Sequence, residues 1–200
     1  MAIKIGITGG IGSGKSVVSH LLQTMGIPVY NTDTEAKRLI AGNEEIRKAL
    51  CALVGEETYL PDGSLNRPYL AHYLFADDEH ATQVNRIIHP HVKEDCRLWM
   101  LRHADLPIVG VESAILIEAG FTDLVDALLM VYAPQELRVQ RTIARDHTTE
   151  EAVRNRMARQ MSDEEKRDRA DYIIYNDNSH LLIPQATDFV RWILQKRQQD

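Results

Sequence analysis

The stretch "GITGGIGSGKSVVS", residues 6–19, sets four glycines between positions 9 and 14 and then opens, through a lysine and a serine, onto what reads as a helix. Glycine loses more backbone freedom on folding than any other residue, so such a run needs a compensating reason. The flanks supply one. Ile3, Ile5 and Ile7 alternate with Lys4 and Gly6 in the pattern of a short strand. Val17, Val18, Leu21 and Leu22 then recur at helical spacing between Lys15 and Met25. The glycines therefore join a strand to a helix N-terminus. From Gly9 the residues fit G-x-x-x-x-G-K-[ST], closing on Gly14, Lys15 and Ser16. In such a loop, glycines let backbone N–H groups converge on a polyphosphate and the helix dipole adds positive potential. The lysine neutralises the outer phosphates, and the serine hydroxyl is a ligand for Mg²⁺. A glycine-rich turn that binds nothing would not need this lysine, this serine and this strand together. The loop reads as a nucleotide site.

The chain has 200 residues, enough for one α/β domain with smaller appendages, and 44% of them are hydrophobic. A net charge of −6 argues against general binding to nucleic acid or to membrane surfaces. That charge is uneven: Arg138 to Arg169 carries nine basic and seven acidic residues, so the acidity lies elsewhere. Cys51 and Cys96 stand far apart without a C-x-x-C pattern, as suits a reducing compartment, and are expected to be buried structural thiols. No signal peptide precedes the first strand and no apolar run reaches membrane-spanning length, so a soluble cytoplasmic protein is expected.

"GIPVYNTD" reads as a second strand, followed by helices over Thr34 to Leu53 broken near Gly42. Asp62-Gly63 marks a turn, a helix restarts near Pro68, and Asp77 to His103 is helical with a kink or break expected at Pro90. Further strands are expected at Ile108 to Val111, in "ALLMVYA" and in "DYIIYND". Pro134 suits position N1 of a helix. Leu181 to Gln195 should form the last helix, with Ile183, Ala186, Val190 and Ile193 on one side. Strands alternating with helices imply a parallel sheet. Two intervals exceed an ordinary crossover. One is the helical stretch between the second and third strands, a candidate substrate-binding insert. The other is Arg138 to Arg169, where Arg138, Arg141 and Arg145 share a helix face and Val153, Met157 and Met161 mark the buried side of the next helix. This interval is either a solvated charged helix pair or, given a phosphate loop, an arginine-rich lid.

A phosphate loop alone does not separate a kinase from a switch or a motor. The guanine-reading N-K-x-D of switch GTPases is absent. A kinase needs a carboxylate to orient or deprotonate the acceptor hydroxyl, and Asp33 follows the second strand. The alternative use of "NTDTEAK" is a helix cap supplied by Asn31, Thr32 or Asp33. Residue types alone leave both open.

Taken together, the chain resembles the dephospho-CoA kinase family. The resemblance rests on "TGGIGSGKS", Asp33, "DGSLNR" with Leu70 and Phe75, His89-Pro90, and "ILIE" ending at Glu118. It continues through Arg141, "ARD" at 144–146, Gln160, "EEK" at 164–166 and "ADYIIYN" ending at Asn176. Three positions depart from the family pattern: Asn31 for the first aspartate of D-A-D, Ala114 for a proline, and Val17 for a threonine. The resemblance implies a P-loop NTPase core with a five-stranded parallel sheet (residues 1–33, 106–137 and 170–200), a helical substrate region over 34–105, and a two-helix lid over about 138–169. It implies transfer of the ATP γ-phosphoryl to the ribose 3′-hydroxyl of dephospho-CoA, the last step of coenzyme A synthesis. Gly12, Ser13, Gly14, Lys15, Ser16 and Val17 would wrap the phosphates, with Ser16 on Mg²⁺. Asp33, Lys15, Arg141 and Arg145 would carry catalysis; from the helix reading rather than the resemblance, Arg138 is expected further from the site. Acceptor specificity would come from the helical region together with the polar exit of the third strand, Glu112, Ser113 and Glu118. His89 is read either as structural or as a substrate contact. The rival readings are another small-molecule kinase and a nucleotide-dependent switch; a monomer is slightly favoured.

Overall fold

The computed structural model describes residues 1–196, without the side chains of Phe75 and Asp78, so the Phe75 side chain and the last four residues lie outside the described part of the chain. In chain order the elements are β1 (Ile3–Thr8), α1 (Lys15–Thr24), β2 (Val29–Asn31), α2 (Thr32–Gly42), α3 (Glu44–Val54), α4 (Arg67–Ala76) and α5 (Asp78–Arg102). Then follow β3 (Ile108–Glu112), β4 (Ala127–Tyr132), α6 (Gln135–Asp146), α7 (Glu150–Ala158), α8 (Asp163–Arg169), β5 (Tyr172–Tyr175) and α9 (Leu182–Lys196). The strands form one parallel sheet in the order β2-β3-β1-β4-β5. β1 sits at its centre, with Ile5 opposite Gly110 of β3 and Ile7 opposite Leu129 of β4. β3 is buried along its whole length and β4 nearly so, which is why both read as unbroken apolar runs.

The chain divides into two compact units, Met1–Tyr30 with Met100–Asp200, and Asn31–Trp99. In the first, Ile5, Ile7, Leu129 and Val131 pack with Val18 and Leu22 of α1 and with Ala186, Phe189 and Ile193 of α9. The stripe on α9 differs from expectation. Ile183 lies in the first turn and is 65% exposed, whereas Phe189 is fully buried, its ring 5.2 Å from that of Tyr172. Ala186, Phe189 and Ile193, at i, i+3 and i+7, define the buried face. Pro134 is the residue before α6 rather than its first helical residue: its ψ of 141° is extended, and its carbonyl accepts the Arg138 N–H at 3.1 Å. The interval 138–169 holds most of α6 together with α7 and α8. Met161 falls after α7, because Ser162 and Glu165 form a reciprocal capping box that starts α8.

The second unit is helical, built around Leu39, Ile46, Leu50, Tyr59, Val84 and Val92. Asn43 stops α2 and caps α3, accepting from the Glu45 and Ile46 N–H groups. α5 runs through Pro90 without a break. The lost hydrogen bond is tolerated because Pro90 and Arg86, whose carbonyl loses its partner, are both exposed, so water can take the freed acceptor. Cys96 is fully buried, and burial pushes its thiol up to about 12; Cys51 is only half-buried, contrary to expectation. It stands on α3 one residue after the buried Leu50.

Replacing Phe189 with Ala should lower stability by about 3–5 kcal/mol, the usual cost of emptying a buried aromatic site. Ile183→Ala should stay within about 0.5 kcal/mol, as for an exposed position. Urea unfolding of the two variants checks the assignment of the α9 face.

Candidate active site

The loop between β1 and α1 ends at Gly14, whose φ of 88° and ψ of 22° are left-handed and therefore favour glycine. Gly14 gives α1 no side-chain cap, and no acidic residue stands in the first turn. Neither a capping side chain nor an acidic residue of the helix itself occupies the positive end of the dipole, which favours an anion there. Lys15 is the first residue of α1, half-buried, and Ser16 and Val17 are exposed beside it. The Ser16 hydroxyl donates to Glu112 Oε1 at 2.8 Å. Glu112 closes β3 opposite Ile7 of β1 and is buried, so a carboxylate is carried to the loop by the strand pairing itself. A hydroxyl and a carboxylate side by side form a hard oxygen pair of the kind Mg²⁺ takes.

The rest of the loop is held from two sides. Asn176, just past β5, donates from Nδ2 to the Ser13 carbonyl at 2.8 Å, and its own carbonyl accepts from Arg141 Nη1 at 2.9 Å. Arg141 Nη2 reaches Asn178 Oδ1 at 2.7 Å. On the other side, Gln160 Oε1 accepts the Ile11 N–H at 3.1 Å, and Arg138 is ion-paired with Asp163. Arg138 is therefore not remote: a Cβ on Gly10 would lie 1.7 Å from its Nη1. The helical spacing that groups it with Arg141 and Arg145 is real, but α6 buries its Arg138, Val139 and Thr142 face. Arg145 by contrast is exposed and grips Asp146 at 2.7 and 3.1 Å, with Arg156 on the same carboxylate at 2.9 Å. These two arginines hold Asp146 well below the usual carboxylate range. Asp163 moves the other way: burial raises its pKa, against the opposing charges of Arg138 and Lys166. The Lys166 side chain is wholly buried, donating to the Ala114 carbonyl at 2.9 Å with Glu118 Oε1 at 3.2 Å.

Within the second unit, Asn31 caps α2, its side chain accepting the Thr34 N–H at 2.9 Å. Asp33 is thus not the cap. It is exposed in the first turn and makes no hydrogen bond or ion pair among the described residues. His89 is half-buried in α5, and burial lowers its pKa.

The dephospho-CoA kinase family model matches residues 3–181. A protein named dephospho-CoA kinase from Bacteroides fragilis is 57% identical over 196 residues, covering 98% of this chain and 95% of that one. The crystal structure of TT1252 from Thermus thermophilus superposes with a TM-score of 0.83 at 36% identity, over 96% of this chain and 98% of that one. The dephospho-CoA kinase structure from Campylobacter jejuni, at 23% identity, has a TM-score of 0.72 over 98% of this chain and 100% of its own, a likeness of fold. The chain belongs to the dephospho-CoA kinase family.

In this dephospho-CoA kinase family member, the motif residues Gly12 to Val17 lie together at the head of α1, while Arg141 and Arg145 stand on α6 with different partners. Sequence reasoning did not bring Glu112, Arg138 or Asp163 to the loop. An acidic residue ending an otherwise apolar strand was the available signal for Glu112. No local pattern announces that Arg138 meets Asp163 across 25 positions.

The backbone at Gly12, with φ of 79°, admits no side chain: a Cβ would stand 2.4 Å from the Arg138 carbonyl. Gly12→Ala should destabilise the fold by about 1–3 kcal/mol, the range for a residue held in a strained region. Thermal unfolding of the variant against the parent protein measures it.

Proposed function

We propose that this chain transfers the γ-phosphoryl group of ATP to the ribose 3′-hydroxyl of dephospho-CoA, giving coenzyme A and ADP. Membership of a family that phosphorylates dephospho-CoA makes it an ATP-dependent kinase acting on a hydroxyl. The observation that carries the reading is the uncapped head of α1 behind Lys15, with Ser16 held against the buried Glu112. Backbone N–H groups from Gly12 to Val17 receive the phosphates, and Lys15 stabilises the charge that moves toward the leaving group. Ser16, with Glu112 behind it, would hold Mg²⁺, which would supply positive charge against the phosphates.

Asp33 orients or deprotonates the acceptor hydroxyl. Its carboxylate is exposed and unused by the cap, which supports that role. Arg141 and Arg145 reach phosphates from the lid, residues 138–169; Arg141 is already tied to the loop through Asn176. The helical region 34–105, with Glu112 and Ser113 at the end of β3, reads the acceptor. Glu118 serves structure instead, since its carboxylate takes the Met161 N–H and faces Lys166. No helix among the described residues is long and apolar enough to cross a membrane. With a net charge of −6, a cytoplasmic monomer that does not bind nucleic acid fits this activity.

Remote parts of an acceptor can hold its reacting hydroxyl in line, which raises turnover as well as affinity. Dephospho-CoA should therefore exceed adenosine, which has the same hydroxyl, by orders of magnitude in kcat/KM. Phosphorus NMR of the product should show the new phosphate at the ribose 3′ position. Phosphate at the pantetheine end, or efficient turnover of AMP with none of dephospho-CoA, would refute the assignment.

Asp33→Asn keeps the size of the side chain and removes the base. A kcat loss of roughly 10²–10⁴-fold is expected, the range for general acid–base catalysis, with ATP affinity little changed. Steady-state kinetics alongside ADP titration separates this from a loss of stability alone.

A further inference from the structure

Between Gly9 and Gly14 only Ile11 and Ser13 carry side chains, so the loop keeps its shape through what leans on it. Three groups lean on its first half, and the phosphate-loop motif contains none of them. Gln160 Oε1 takes the Ile11 N–H at 3.1 Å. The Arg138 guanidinium occupies the space over Gly10, and Asp163, ion-paired to it, lies 3.3 Å from the same would-be Cβ. The Arg138 side chain is only 7% exposed. A buried ion pair is often no more stabilising than apolar residues of the same volume, so stability alone does not explain it. Gln160 and Asp163 flank the turn from α7 into α8, so one short turn grips the loop at neighbouring points.

We infer that Gln160 and the Arg138–Asp163 pair are positioning residues for phosphoryl transfer, fixing the Gly10–Ile11–Gly12 backbone so that the N–H groups after it meet the phosphates in register. They act through the loop and do not touch the substrate. The inference rests on reading Gly12 to Val17 as the ATP site. Its scale follows from geometry, since small misplacements of reacting groups lower rates steeply.

The test uses the full chain with two variants. Gln160→Met keeps the length of the side chain and removes the acceptor; Arg138→Lys keeps the charge and loses the planar fork. Gln160→Met should lower kcat/KM for ATP about tenfold, the size of one neutral hydrogen bond. KM for dephospho-CoA should hold, Tm should hardly move, and the assigned Ile11 amide resonance should shift. Arg138→Lys should lower kcat/KM for ATP further. The double variant should lose less than the product of the two, because both act on one segment. A purely structural role would lower Tm and leave kcat and both KM values unchanged well below Tm; that result overturns the inference. So does an Ile11 amide that shifts while kcat/KM for ATP stays constant. Lys15→Ala separates the two levels. If it leaves ATP turnover intact, the site itself is misread and the inference falls with it. If it abolishes turnover and Gln160→Met leaves kcat/KM for ATP unchanged, only the inference falls.

Discussion

A loop that must present bare backbone N–H groups to an anion cannot also be rich in side chains, and so cannot pack itself. This constraint organises the first unit. Gly12 and Gly14 take left-handed conformations that favour glycine, and the loop's stiffness is supplied by its neighbours. Asn176 holds the Ser13 carbonyl from the end of β5; Gln160 holds the Ile11 N–H from the turn before α8. The Arg138 carbonyl and the Thr142 hydroxyl close on Gly12 from α6. Three other parts of the chain meet at this one short segment.

The sheet makes that convergence possible. With β1 between β3 and β4, whatever follows the carboxyl ends of those strands arrives beside the loop, where open α/β sheets place their ligands. Glu112 ends β3 one register step past Gly6 and Val111, which brings its carboxylate to Ser16. Tyr132, the end of β4, pairs with Tyr175, and the Tyr132 carbonyl takes the Asn176 N–H, setting the asparagine that holds the loop. Lys166 fastens α8 to the segment after β3 through Ala114 and Glu118. Its charge is buried but not unpaired, which is the condition under which a buried lysine can be kept.

The same convergence explains why some of the fold was legible in the sequence and some was not. β1, the loop and α1 are legible because motif, alternation and helical spacing coincide within some twenty residues. The helices on either side of Gly42 and the turn at Gly63 are legible for the same local reason. Arg138 is not, because spacing tells which residues share a face and not which face is covered. The cap at Asn31 was open in the sequence among three polar residues, and only the Thr34 N–H decides it. On α9, helical spacing alone does not show that Ile183, in the first turn, stays exposed while Phe189 is buried.

Two kinds of ion-paired arginine stand in residues 138–169, and the difference bears on the proposed lid. Arg145 and Arg156 share Asp146, and Arg154 lies between Glu136 and Glu150, all on the exposed surface. Exposed pairs of this sort contribute about 0–1 kcal/mol each. A polyphosphate offering more charge and more acceptor oxygens can replace those carboxylates at little cost. Such pairs hold an arginine near its place of use without committing it there. Arg138 with Asp163 is buried, and parting them would strand a charge in a poorly solvated place, typically a loss of about 3–5 kcal/mol. On the proposed reading, the exchangeable pairs suit arginines that turn to the nucleotide, while the buried pair stays with the loop throughout. Within one basic stretch, burial rather than charge decides which arginines can move.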